Sequence, residues 1–230
     1  LRRSHLATIV RWLAALLILR VLVAILANYS DYFPPNFDSL FLEGRETRFV
    51  GSYPPAFYVH IFSGPFVLLN GLILMSETVR RRYGGLHRYL GRIQVAVLLA
   101  IMLPSSVVIS RHAFGGWPAG LSFLALSAAT ATCAVAGVVA ADRHRFDLHR
   151  WCMLRCYVLI CSAVTLRLIS GAAGLIGVPN AEGAYIAAAW SSWLIPLALC
   201  TIVERLTTRR PAADMNVRKR EPYPSNFIEA

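Results

Sequence analysis

Six stretches of about twenty apolar residues constrain this chain more than anything else in it. They run over residues 9–28, 56–76, 89–110, 120–140, 151–172 and 184–203. At about 1.5 Å of rise per residue, each can cross about 30 Å of hydrocarbon as a helix. In lipid the backbone must pair its polar groups within a helix or a closed barrel, and the apolar–polar alternation of barrel strands is absent. The expected fold is all-α: a polytopic membrane protein, a bundle of six transmembrane helices occupying residues 1–206. An outer loop at 29–55 and a polar, flexible tail at 207–230 complete it. Composition agrees, since 57% of the residues are hydrophobic and only 15% charged. An ordinary soluble domain has about 45–50% and about 25%, so a soluble enzyme and a disordered chain are excluded.

The net charge of +11 would point to nucleic acid in a soluble protein. Here it reads as topology. Arg2, Arg3 and Arg11 precede or open the first run, and Arg80, Arg81, Arg82, Arg88 and Arg92 fill the second connection. Further arginines lie between Asp142 and Arg155 and after Glu204, and all four segments share one side of a six-helix protein. The loop at 29–55 carries Asp31, Asp38, Glu43 and Glu46 against Arg45 and Arg48. The positive-inside rule then puts both termini in the cytoplasm of a bacterial cell, with the chain in the cytoplasmic (inner) membrane and no nucleic acid as partner. The first run is expected to be retained rather than cleaved, because Arg20 interrupts it and Ile25-Leu26-Ala27 is a poor cleavage site. All five cysteines lie in apolar runs without zinc-ribbon spacing, which reads as buried free thiols.

Ionisable residues inside spans are functional candidates because they are costly there. His149 and Arg167 are eighteen residues apart, five whole helical turns or about 27 Å, so they share a face, with Cys156 within about 20° of it. His87, Gln94, Ser105 and His112 form one polar stripe on the third helix, and His60 aligns with Gly64 and Gly71 on the second. Depth separates two clusters: His60, His112 and Arg167 toward the outer face, and His87, His149 and Arg155 at the cytoplasmic boundary near Glu77. These six are the candidate cofactor-binding residues. His60 with His112, and His87 with His149, are candidate axial ligand pairs for a b-type haem, since a haem in a bundle takes two facing imidazoles at one depth. Arg167 and Arg20 are candidate donors to a quinone carbonyl or a lipid phosphate, or Arg167 needs Glu43, Glu46 or Glu182. No Cys-x-x-Cys-His, His-Glu-x-x-His, Gly-x-Ser-x-Gly or phosphate loop occurs, which excludes covalent haem attachment and gives no support to a metal hydrolase. Pro104 and Pro196 are expected to kink the third and sixth helices.

The functional expectation is a multi-pass membrane protein associated with redox chemistry, binding haem or quinone through the two His/Arg clusters. The alternatives are a non-catalytic accessory subunit of a larger respiratory or photosynthetic membrane complex, and a protein handling a lipid or isoprenoid. Membrane lipids are the expected partners, and a larger complex would be met through helix surfaces, the outer loop and the C-terminal tail.

The stretch from His60 to Arg167 combines His60, Gly64 and Gly71 with Leu86-His87-Arg88 and Gly91-Arg92, then His149, Trp151, Met153, Arg155 and Arg167. In these residues it resembles an uncharacterised bacterial multi-pass membrane family, the domain of unknown function 2306. The resemblance implies a shared residue pattern and brings no activity, substrate or cofactor. The outer loop and the tail lie outside it.

Overall fold

A computed structural model describes residues 2–39, 42 and 46–208, and they are all-helical. Helix α1 covers Arg2–Ala27 and ends in a 3-10 turn at Asn28–Asp31. Helix α2 is Tyr53–Leu74, and Pro54 and Pro55 at its second and third positions suit a first turn where no backbone donor is needed. A short α3, Glu77–Arg82, turns the chain into α4, Gly84–Val97, and α5, Leu103–Ser110, with a π-helical turn at Leu98–Met102 between them. Then follow α6, Gly116–Asp142, α7, Phe146–Ile160, α8, Ser162–Leu175, and α9, Ala181–Thr208.

Six segments are long and apolar enough to span a membrane: Trp12–Asp31, Tyr53–Leu74, Gly84–Ser110, Gly116–Asp142, Phe146–Leu175 and Ala181–Leu206. Each overlaps one of the six apolar runs, the first displaced toward the C-terminus and the second toward the N-terminus. The fifth span is two helices, broken at Cys161, which no proline or glycine announces. Pro196 sits inside α9 without ending it. From residue 209 onward the expected tail lies outside the described residues, as does Glu43.

Helix α6 packs most extensively on α7, α8 on α9, and α2 on α5 and α4, while α1 touches α2 and α8 lightly. Helices in lipid gain little from burying apolar area against each other, so close approach of backbones has to supply the contact. Glycines provide it. A Cβ on Gly120 would stand 2.5 Å from the Ser110 carbonyl oxygen, and one on Gly71 would stand 2.5 Å from the Tyr157 ring. Polar side chains add specific bonds: Gln94 Nε2 donates to the Val67 carbonyl at 2.9 Å, and Asn70 Nδ2 donates to Gln94 Oε1 at 2.9 Å. Large apolar side chains such as Trp12, Leu16, Val23, Trp117 and Leu199 are exposed on the outside, which suits contact with lipid.

The two ends differ. At one, Tyr32, Leu42, Tyr53 and Phe57 form an apolar cluster with Tyr29, Phe37, Phe49 and Tyr58 packed on it, so the described residues of the 29–55 loop fold down over the bundle. The other end carries the arginine-rich turns. Among the described residues the five cysteines are free.

Candidate functional site

Two proline-linked distortions shape the middle of the bundle. Pro65 has no N–H, so the Ile61 carbonyl, four residues earlier, loses its helical donor. The Tyr29 hydroxyl donates to that carbonyl instead, which ties the end of α1 to α2. Pro104 would crowd the carbonyl of residue 100 in the same way. There the helix widens instead, and the Leu103 N–H bonds the Leu98 carbonyl five residues back. Such π turns recur at functional sites. The widening is followed by Ser105 and Ser106, whose hydroxyls both donate to the Met102 carbonyl at 2.7 Å.

His60 of α2 faces this turn. Its Nδ1 lies 3.2 Å from Ser106 Oγ and 3.4 Å from Ser105 Oγ. The polar stripe expected on the third span therefore faces α2 along its length: Gln94 meets Asn70, Ser105 meets His60, and His112 packs edge-on against Tyr53 with ring centroids 5.2 Å apart.

His60 and Arg167 line one cavity of about 230 Å³ between all six spans. Tyr29, Tyr32, Phe57, Phe123 and Tyr185 surround its loop end, and Leu68, Leu98, Met102 and Ile160 form apolar wall deeper in. Ser106, Ser127, Thr130 and Ser162 add hydroxyls. The break between α7 and α8 lies on this wall, because Ile160 and Ser162 flank Cys161 and both line the cavity. Arg167 is exposed although protein surrounds it, as a side chain on a cavity wall must be. Its Nη1 donates to the Ala163 carbonyl at 2.9 Å. It interacts electrostatically with Tyr29, Tyr32, Tyr185 and His60. Among the described residues no carboxylate lies within 4 Å of it, so Glu46 and Glu182 do not pair with it.

The other candidates separate. His112 stands just beyond α5, against Tyr53, seven residues and about 10 Å of helix rise from His60 on α2. Arg20 is exposed on α1 and does not line the cavity. At the arginine-rich end His87 lies within the first turn of α4 and His149 within that of α7, close enough to interact electrostatically. His149 Nδ1 donates to the Gly137 carbonyl at 2.8 Å, and His87 Nδ1 is buried without a partner. Arg155 does not join them. It is 6% exposed, stacks on Trp151 and donates to both Glu204 carboxylate oxygens, from Nη2 at 2.5 Å and from Nη1 at 3.0 Å. Glu77 pairs with Arg80 and Arg81 on its own helix.

Sequence reasoning missed Tyr29, Tyr185 and Ser106 at the cavity and Glu204 as the partner of Arg155. The aromatic richness of the 29–55 loop and the neighbouring Pro104-Ser105-Ser106 were the available signals for the cavity. Among the described residues no cluster of three or more His, Cys, Asp or Glu side chains could hold a metal ion.

No curated protein and no solved structure matches the chain. The family described as predicted membrane protein (DUF2306) matches residues 57–204, well over half of the chain, and takes in five of the six spans together with His60, His87, His112, His149, Arg155 and Arg167. With that extent of match, and with the six-span bundle behind it, the chain belongs to the DUF2306 family of membrane proteins.

Proposed function

We propose that this membrane protein binds a quinone-type ring in the cavity between its spans, with Arg167 donating to a ring oxygen. The observation that carries the reading is Arg167 itself: a cation inside a membrane bundle, on a cavity wall, without a carboxylate within 4 Å among the described residues. An arginine so placed calls for an oxygen-bearing ligand. Size narrows the choice. A cavity of about 150 Å³ holds one benzene. The 230 Å³ here therefore suits a single substituted ring, below the about 300 Å³ at which drug-sized pockets begin. The aromatic side chains around it favour a flat ring as well. A haem is larger and takes two facing imidazoles, whereas His112 packs on Tyr53 rather than facing His60 across the cavity.

The distribution of arginine supports the cytoplasmic inner membrane of a bacterium as the location, with the arginine-rich end and both termini in the cytoplasm. The 29–55 loop then caps the cavity from the opposite side. The test is direct binding. The full chain, purified in lipid nanodiscs, is titrated with tetramethyl-1,4-benzoquinone and its quinol while tryptophan fluorescence is followed. Saturable binding of either, weakened roughly tenfold or more by Arg167→Gln, is expected. No saturable binding of either ring overturns the reading.

A further inference from the structure

We infer that the cavity is built for the hydroxyl-bearing, reduced form of such a ring, because His60 is held with a hydrogen-bond acceptor, Nε2, turned to the cavity. The inference rests on the quinone-type reading above and sharpens it to one redox form.

The argument is a count of protons. A serine hydroxyl has one proton and two lone pairs. Ser105 and Ser106 each stand 2.7 Å from the Met102 carbonyl oxygen, which can only accept. Both protons are used there, at distances well below the 3.2 and 3.4 Å that separate the two hydroxyl oxygens from His60 Nδ1. What the serines offer the ring is lone pairs. Nδ1 therefore carries the proton, and in the neutral imidazole Nε2 carries none.

Nε2 has no protein partner among the described residues, and it is not sealed in. Among them the buried side-chain nitrogen and oxygen atoms left without a partner are His87 Nδ1 and Ser170 Oγ. The His60 ring lines the cavity with its Nδ1 edge on the serines, which leaves the Nε2 edge for whatever fills it. The cavity then has a donor, Arg167, and an acceptor, His60 Nε2. A quinol satisfies both at once: one hydroxyl donates to Nε2 and the other oxygen accepts from Arg167. A quinone has two acceptors, and its carbonyl would face the Nε2 lone pair with neither able to give a proton. Losing such a bond and leaving its acceptor unpaired corresponds to about tenfold or more in affinity.

The experiment compares three rings on the full chain in nanodiscs under anaerobic conditions: tetramethylhydroquinone, tetramethyl-1,4-benzoquinone and the di-O-methyl ether of the quinol. The quinol is expected to bind about tenfold or more tightly than the other two. In Ser105→Ala/Ser106→Ala the ring loses what holds its proton on Nδ1, and the preference is expected to shrink to less than about threefold while binding persists. Nitrogen-15 NMR of histidine-labelled protein reads the tautomer without any ligand, and His60→Gln assigns the signal. Equal or tighter binding of the quinone, or a His60 proton on Nε2, overturns the inference and leaves ring binding standing. Failure of all three rings to bind overturns the ring-binding reading, and this inference with it.

Discussion

The Tyr29 hydroxyl donates to the Ile61 carbonyl, the one carbonyl in that part of α2 that Pro65 leaves without its helical N–H. One bond thus repairs a helix defect and anchors the end of α1 at the mouth of the cavity. Tyr29→Phe is expected to cost about 1–2 kcal/mol, the penalty for an acceptor left unpaired. Pro65→Ala returns an N–H to the helix, so in that background the same tyrosine change should cost less by about 1 kcal/mol. A double-mutant cycle in a detergent-unfolding assay reads this coupling. Strict additivity would show that the hydroxyl does not serve the proline's orphaned carbonyl.

Glycines on neighbouring faces should respond to alanine in opposite ways. A Cβ on Gly120 meets the Ser110 backbone oxygen at 2.5 Å, and backbone cannot rotate away. Gly120→Ala is expected to cost about 1–3 kcal/mol by forcing α5 and α6 apart. A Cβ on Gly64 meets nothing within 4 Å. Gly64→Ala is expected to leave stability unchanged or to raise it by a few tenths of a kcal/mol, since alanine is the better helix former. Thermal unfolding of the two variants side by side checks both.

The six spans were legible because length and apolarity in lipid leave a chain almost no other fold. Their internal defects were legible only where proline marked them. Pro104 pointed to a distortion in the third span, and the π turn at Leu98–Met102 sits just before it. The break at Cys161 has no such marker and arises from packing. Helical spacing aligned His87, Gln94, Ser105 and His112, and the last three do face α2, because a polar stripe in a bundle seeks protein rather than lipid, while His87 lies near His149 of α7. Spacing could not say which side chains of other helices would meet it. His112 was grouped with His60 by depth but packs on Tyr53, and Arg155 was grouped with His87 and His149 but bonds Glu204. Glu204 drew no role because it lies just past the apolar run at 184–203, although α9 continues through it to Thr208.

That pairing is itself testable. Arg155 is 6% exposed, and Glu204 is the carboxylate on its guanidinium. Glu204→Gln leaves a charge in a low-dielectric setting with a weaker partner. The Glu204 side chain is 31% exposed, so the loss is expected at about 1–3 kcal/mol rather than the larger cost of a fully buried pair. Arg155→Leu combined with Glu204→Leu should recover much of it, since an apolar pair carries no desolvation penalty. Unfolding of the single and double variants decides. A double variant no more stable than Glu204→Gln would argue against an ion pair held at a net desolvation cost.

Arg167 carries the ligand reading, so its variants should separate charge from shape. A guanidinium offers a planar fork of donors, whereas an ammonium is a compact point charge on a flexible stem. Arg167→Gln removes the charge-assisted bond and is expected to weaken binding of tetramethylhydroquinone roughly tenfold to hundredfold. Arg167→Lys keeps the charge and should fall between. Gly64→Leu acts on space instead: the glycine lines the cavity with nothing within 4 Å of a Cβ, so a leucine there grows into the volume the ring needs. It should abolish binding with little loss of stability. Binding isotherms and unfolding curves measured on the same preparations distinguish these effects. If Gly64→Leu bound the ring as tightly as the parent protein, the ligand would have to lie outside this cavity, whatever Arg167 does.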